Sequence, residues 1–119
     1  MANRRTIGRG EIWLIRFDPA VGAEIRKLRP AVVVSDDSVG RLPLRIVVPV
    51  TDWNPRYAAL SWIVHLPVSR ESGLVKDSAA DSFQIKSLSE QRFVRRLGVV
   101  TNDQLDEITD AIALCVGVE

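Results

Sequence analysis

The feature that most limits what this chain can fold into is a succession of short apolar runs. Each is stopped by proline, glycine or a polar cluster before a helix could bury a face. Glu11–Phe17 places Trp13, Ile15 and Phe17 on one side and Ile12 and Leu14 on the other, which predicts a central strand ended by Asp18-Pro19. Arg29–Ser35 predicts a second strand and Leu44–Thr51 a third, joined by the turn-rich Asp36–Pro43. Pro49 lacks the N–H that a ladder needs, so its position predicts an edge or a bulge. Ser61–Val68, Ala79–Ile85 and Val94–Val100 predict three more strands, with a helical turn over Lys86–Phe93. Only the end of the chain changes period. Thr101-Asn-Asp-Gln104 has the form of a capping box, and Leu105, Ile108, Ile112 and Cys115 follow at helical spacing. Cys115 is then a small core residue on the inner face of that helix. Short strands closed by one helix predict a mainly β fold, a small curled antiparallel sheet.

With 119 residues the chain is expected to form one domain, 1–119. No run approaches the roughly eighteen apolar residues of a membrane-spanning helix, and no secretory leader is visible. With one cysteine and one histidine, neither an internal disulfide nor a Cys/His zinc site is available, which fits the cytoplasm. Net charge is only +1, but it is unevenly spread. Residues 1–96 carry +6, while residues 97–119 carry −5 and no Lys or Arg. A polyanion would meet the body and be repelled by the tail.

Val21–Ser35 is the stretch with chemical potential. Its first half sets one carboxylate, Glu24, among Arg26, Lys27 and Arg29, and its second half is the apolar run Ala31–Val34. A charged loop thus feeds a strand, with Arg29 at the junction held extended by Pro30. A guanidinium at the root of a strand is placed to meet a phosphate or another anion. Downstream, Trp53, Arg56 and Tyr57 bring aromatic rings and a cation into one loop, the combination on which single-stranded RNA stacks.

Taken in order, Arg9-Gly-Glu-Ile-Trp, Asp18-Pro, Val21-Gly-x-Glu, Arg29-Pro-Ala-Val-Val-Val-Ser and Val48-Pro-Val-Thr51 closely resemble the MazF/PemK family of toxin endoribonucleases. The likeness continues loosely through Asp81-Ser-Phe-Gln-Ile-Lys86 to the last helix. It implies an SH3-like barrel with a C-terminal helix, usually a homodimer. It also implies a metal-independent, cofactor-free cleavage of single-stranded RNA, and an antitoxin whose acidic flexible segment fills the RNA groove. Such cleavage needs a base for the 2′-hydroxyl, a cation for the crowded phosphorane and an acid for the leaving 5′-oxygen. By resemblance Glu24 is the candidate base, Arg29 stabilises phosphate or donates the proton, and Thr51 holds a phosphate oxygen. Arg26, Lys27, Ser35, Trp53, Arg56, Gln84 and Lys86 are the candidate RNA contacts. The PemK branch also uses a histidine before the loop glutamate and an arginine and aspartate on a late strand. Here those places hold Ala23, Asp81 and Phe83, so the MazF-like set is preferred. His65, opposite the Trp62–Val64–Leu66 face, is expected at the surface or in a groove. Two alternatives share the architecture: an inhibitory binding protein like the gyrase poison CcdB, and a non-catalytic RNA-binding barrel.

Overall fold

A computed structural model describes residues 6–19, 21–24, 27–39 and 42–118. It contains seven antiparallel strands and one helix: β1 (Glu11–Arg16), β2 (Leu28–Val33), β3 (Leu44–Asp52), β4 (Ile63–Leu66), β5 (Ser78–Asp81), β6 (Lys86–Ser89), β7 (Phe93–Val99) and α1 (Asn102–Cys115). Hydrogen bonding runs in the order β4-β5-β3-β2-β1-β7, with β6 paired to β3 beside β5. The sheet curls without closing. Register shifts between β1 and β7, at Ile12/Trp13 and Leu14/Ile15, tighten the curl where these strands meet.

Both faces of the curled sheet bury apolar residues, as the two-sided pattern of β1 requires. On one face Ile12, Val32, Val48 and Val50 pack with Leu105, Ile108 and Ala111 of α1. On the other, Trp13, Ile15, Ala31, Val33 and Val47 gather around Phe93. The expected capping box is present. Thr101 Oγ1 accepts from the Gln104 N–H at 3.1 Å, and Gln104 Oε1 accepts from the Thr101 N–H at 2.9 Å. Cys115 is half-buried rather than deep in the core, in an apolar niche with Trp62, Phe83 and Leu114. Burial pushes its thiol pKa up, so it stays protonated at neutral pH.

Three expectations change. Pro49 does not mark an edge: β3 is the most heavily paired strand, bonded to β2 on one side and to β6 and β5 on the other. That second side is interrupted, because β6 pairs residues 44–47 and β5 pairs residues 50–52, leaving Pro49 in the gap. Ile46 turns its peptide toward β2, where its carbonyl accepts from Val34. Strand alternation therefore turns the nitrogen of Pro49 toward the gap, where no bond is lost. The strand predicted over Ala79–Ile85 stops at Asp81, whose carboxylate accepts from the Phe83 N–H and caps a 3₁₀ turn over Ser82–Gln84. The helical turn predicted over Lys86–Phe93 is instead strand β6 followed by a short 3₁₀ turn at Glu90–Arg92. Ser89 caps that turn through the Gln91 N–H, so helical geometry is confined to three residues.

The long connection from β4 to β5 docks on β7 through glycine. A Cβ on Gly98 would lie 2.1 Å from the Glu71 carbonyl oxygen, and one on Gly73 (φ +69°) would lie 2.2 Å from the Leu97 carbonyl oxygen. Both are backbone contacts that cannot yield cheaply. Gly98→Ala is therefore expected to destabilise the fold by about 3 kcal/mol or more in urea unfolding. Gly8→Ala, which meets only the Glu11 side chain at 3.7 Å, is expected to be nearly neutral.

Candidate functional site

The β1–β2 loop is tied down at both ends. At its base Phe17 donates its N–H to the Lys27 carbonyl at 2.8 Å, and Lys27, in the left-handed region (φ +67°), donates its own N–H to Asp18 Oδ1 at 3.0 Å. The Arg92 guanidinium reaches in from the 3₁₀ turn before β7 and donates to the carbonyls of Arg16 (3.2 Å) and Asp18 (2.5 Å). Higher up, Glu24 Oε1 accepts from the Val21 N–H at 2.6 Å, closing a small turn around Gly22. Its other oxygen meets Lys86 Nζ at 2.9 Å across the molecule. The Lys86 ammonium, with help from the Val21 amide, lowers the carboxyl pKa of Glu24. At neutral pH this is an ionised loop carboxylate clasped to β6.

Lys86 lies opposite Val47, which lies opposite Val33, so its side chain shares the β2–β3 face that carries the Phe93 cluster. Continued by two residues, the register that pairs Ala31 with Pro49 sets Arg29 level with Thr51 on that same face. Thr51 lies opposite Ala79, and Ala79 lies opposite His65. One cross-strand row therefore runs Arg29, Thr51, Ala79, His65. Arg29 and Thr51 are half-buried, Ala79 is the fully buried floor, and His65 is exposed. A guanidinium and a hydroxyl level with each other on adjacent strands can grip an anion, and the ionised Glu24 carboxylate is held on that face through Lys86, which lies level with Val47, four residues along β3 from Thr51.

Other sequence candidates fall elsewhere. Ser35 is past the far end of β2, six residues from Arg29, and its hydroxyl accepts the Ile46 N–H at 3.1 Å, so it holds strands together. Gln84 sits in the 3₁₀ turn and donates to Asp81 Oδ2 at 3.4 Å. Trp53 is half-buried and stacked on His65, with ring centroids 4.0 Å apart and planes 20° apart, and edge-on to Tyr57. One of its faces is therefore already covered. Arg56 and Lys27 are exposed, and Arg26 lies outside the described residues. Sequence reasoning missed the part Arg92 plays in anchoring the loop, since nothing local links it to residues 74 and 76 positions away. Among the described residues no three of His, Cys, Asp and Glu converge to hold a metal ion, and no helix is long and apolar enough to cross a membrane.

The model of a family described as PemK-like, MazF-like toxin of type II toxin-antitoxin system matches residues 8–116. Endoribonuclease MazF9 of Mycobacterium tuberculosis is 36% identical over 112 residues, covering 89% of this chain and 92% of that protein. Among solved structures, MazF from Deinococcus radiodurans superposes with a TM-score of 0.81 at 23% identity, over 97% of this chain and 100% of its own. An endoribonuclease in complex with its cognate antitoxin, from a mycobacterial species, gives 0.76 at 17% identity over 96% and 98%. At these identities the two structures speak to the fold.

The Glu24–Lys86 clasp has a definite pH sign. A lowered carboxylate pKa means the clasp contributes at pH values above the ordinary carboxylate range and is lost as pH falls through the lowered value. In Lys86→Met the Glu24 carboxyl is expected to titrate at higher pH, followed by side-chain NMR. Amide exchange at residues 21–24 should rise at neutral pH.

Proposed function

The chain belongs to the PemK-like, MazF-like family of toxins of type II toxin–antitoxin systems, and we propose that it acts as an endoribonuclease on single-stranded RNA by attack of the 2′-hydroxyl. The observation that carries this reading is the arrangement of Arg29 and Thr51 on one face of adjacent strands, with ionised Glu24 clasped over that face. Glu24 takes the proton of the 2′-hydroxyl, and that oxygen attacks the neighbouring phosphorus. Arg29 and Thr51 hold the non-bridging oxygens of the phosphorane, where charge accumulates. The bond to the 5′-oxygen breaks and that oxygen takes a proton from Arg29 or from solvent water, leaving a 2′,3′-cyclic phosphate and a 5′-hydroxyl. A phosphate that draws Lys86 away from Glu24 also returns the carboxylate toward its ordinary basicity, so binding favours the base.

The rest of the reading follows from charge and from the relatives. Lys27, Arg56 and Lys86 line the approach of the RNA backbone, with Arg26 next to Lys27 in sequence. An antitoxin segment rich in acidic residues competes for the same cations; a structure of the same fold has been solved in complex with its cognate antitoxin. The whole chain 1–119 works as one domain in the cytoplasm, as a homodimer, and needs no cofactor.

The test is digestion of a defined RNA in EDTA with both ends of every fragment mapped. Cyclic phosphate and 5′-hydroxyl ends are expected. Arg29→Ala should slow cleavage by about a hundredfold or more without loss of fold. RNA left intact by the wild-type protein would hand the assignment to the non-catalytic alternatives. The pH profile separates base from stabiliser. If Glu24 is the base, the acidic limb of kcat/KM moves to higher pH in Lys86→Met, because removing the ammonium raises the carboxyl pKa.

A further inference from the structure

Thr51 and His65 flank the same small residue, Ala79, in one row of the sheet. Two strand spacings, about 10 Å, separate their backbones, the reach of an adjoining nucleotide. His65 is not needed for packing, since Val64 and Leu66 point the other way and fill the core. Its imidazole instead lies flat on Trp53, whose indole is in turn edged by Tyr57. One residue positions both rings: the Asp77 carbonyl accepts the Trp53 N–H at 3.0 Å, and the Asp77 carboxylate lies 3.6 Å from His65 Nε2. With one face backed by Trp53, the His65 side chain still keeps 40% of its surface in solvent.

We propose that the outward side of His65, backed by Trp53 and held by Asp77, is a stacking position for an RNA base next to the phosphate gripped by Arg29 and Thr51, and that it helps choose where the strand is cut. The inference rests on the nuclease reading above. A base rather than a second phosphate is the ligand, because the exposed Asp77 carboxylate beside His65 repels an anion here. Trp53 is then the backing of the platform and not its surface, which refines its assignment as a direct RNA contact. Arg56, exposed in the 3₁₀ turn at Pro55–Ala59 three residues after Trp53, is a cation for the backbone of the stacked nucleotide.

The experiment measures RNA affinity by fluorescence anisotropy in the slow-cleaving Arg29→Ala background. His65→Ala, His65→Tyr and a series of RNAs carrying a single abasic site are compared. His65→Ala is expected to weaken binding about tenfold, the scale of one lost base–aromatic stack, and His65→Tyr to retain it. At one position beside the scissile phosphate, the abasic penalty should vanish in His65→Ala, since base and ring would already be uncoupled. Equal affinity of His65→Ala and its parent overturns the inference, and so does an abasic penalty that persists at every position. Wild-type protein that leaves RNA intact in EDTA overturns the nuclease reading instead, so the two failures are distinct. Thermal melts of each variant show that the fold is kept.

Discussion

Everything in this molecule passes through the break on one side of β3. A nine-residue strand paired fully on both edges would have no place for a proline, and it would run straight. Instead its outer partner divides into β6 and β5 around the 3₁₀ turn at Ser82–Gln84, and Pro49 occupies the gap. Before the break, β3 belongs to the curl that encloses Phe93, and after it β3 joins the β5–β4 ribbon against α1. Thr51 falls just beyond this change of partner. It therefore has β2 with Arg29 on one side and β5 with Ala79 on the other, and the candidate site spans the seam between the two halves of the sheet.

The seam also explains how the loop carboxylate becomes part of the site. β6 is short, and its first residue, Lys86, emerges directly from the 3₁₀ turn on the face that β2 and β3 share. Its ammonium there is half-exposed and meets a carboxylate 62 residues earlier in the chain. Surface pairs of this kind contribute little to stability. What this one does is orient the loop, since Arg92 and the Phe17–Lys27 bond fix the base while Lys86 fixes the tip. A weak clasp at the tip suits a loop that must exchange its partner for a phosphate.

What was legible in the sequence follows from how local each determinant is. The capping box over Thr101–Gln104 uses side chains three residues apart, so the helix could be read from four letters. The two-sided pattern of Glu11–Phe17 gave a central strand, and the loop-then-strand order around Arg29 marked the face that carries the candidate site. Lys86–Phe93 was misread because β6 has four residues and no fully buried position, so its period carried no signal. Pairing with Leu44–Val47, 39 to 45 positions away, makes it a strand. Ser35 looked like a site hydroxyl because it follows the apolar run. Only the register reveals that it closes the far end of the β2–β3 pair, at the Ile46 amide.

The least local dependence runs from a glycine to an aromatic pair. Gly98 on β7 leaves no room for a Cβ, so the backbone of Glu71 and Ser72 can lie against it, and the Val99 N–H bonds the Glu71 carbonyl at 2.9 Å. Gly73, in the left-handed region, makes the reciprocal approach to Leu97. These contacts fix the course of the connection that leads to Asp77, and Asp77 sets both Trp53 and His65. A side chain on β7 would thus reach the far end of the Arg29–His65 row without touching it. Rigid backbone contact, which loops seldom have, is what allows the Trp53 and His65 rings to keep one geometry beside a site whose other wall is a loop clasped at its tip by the Glu24–Lys86 surface ion pair.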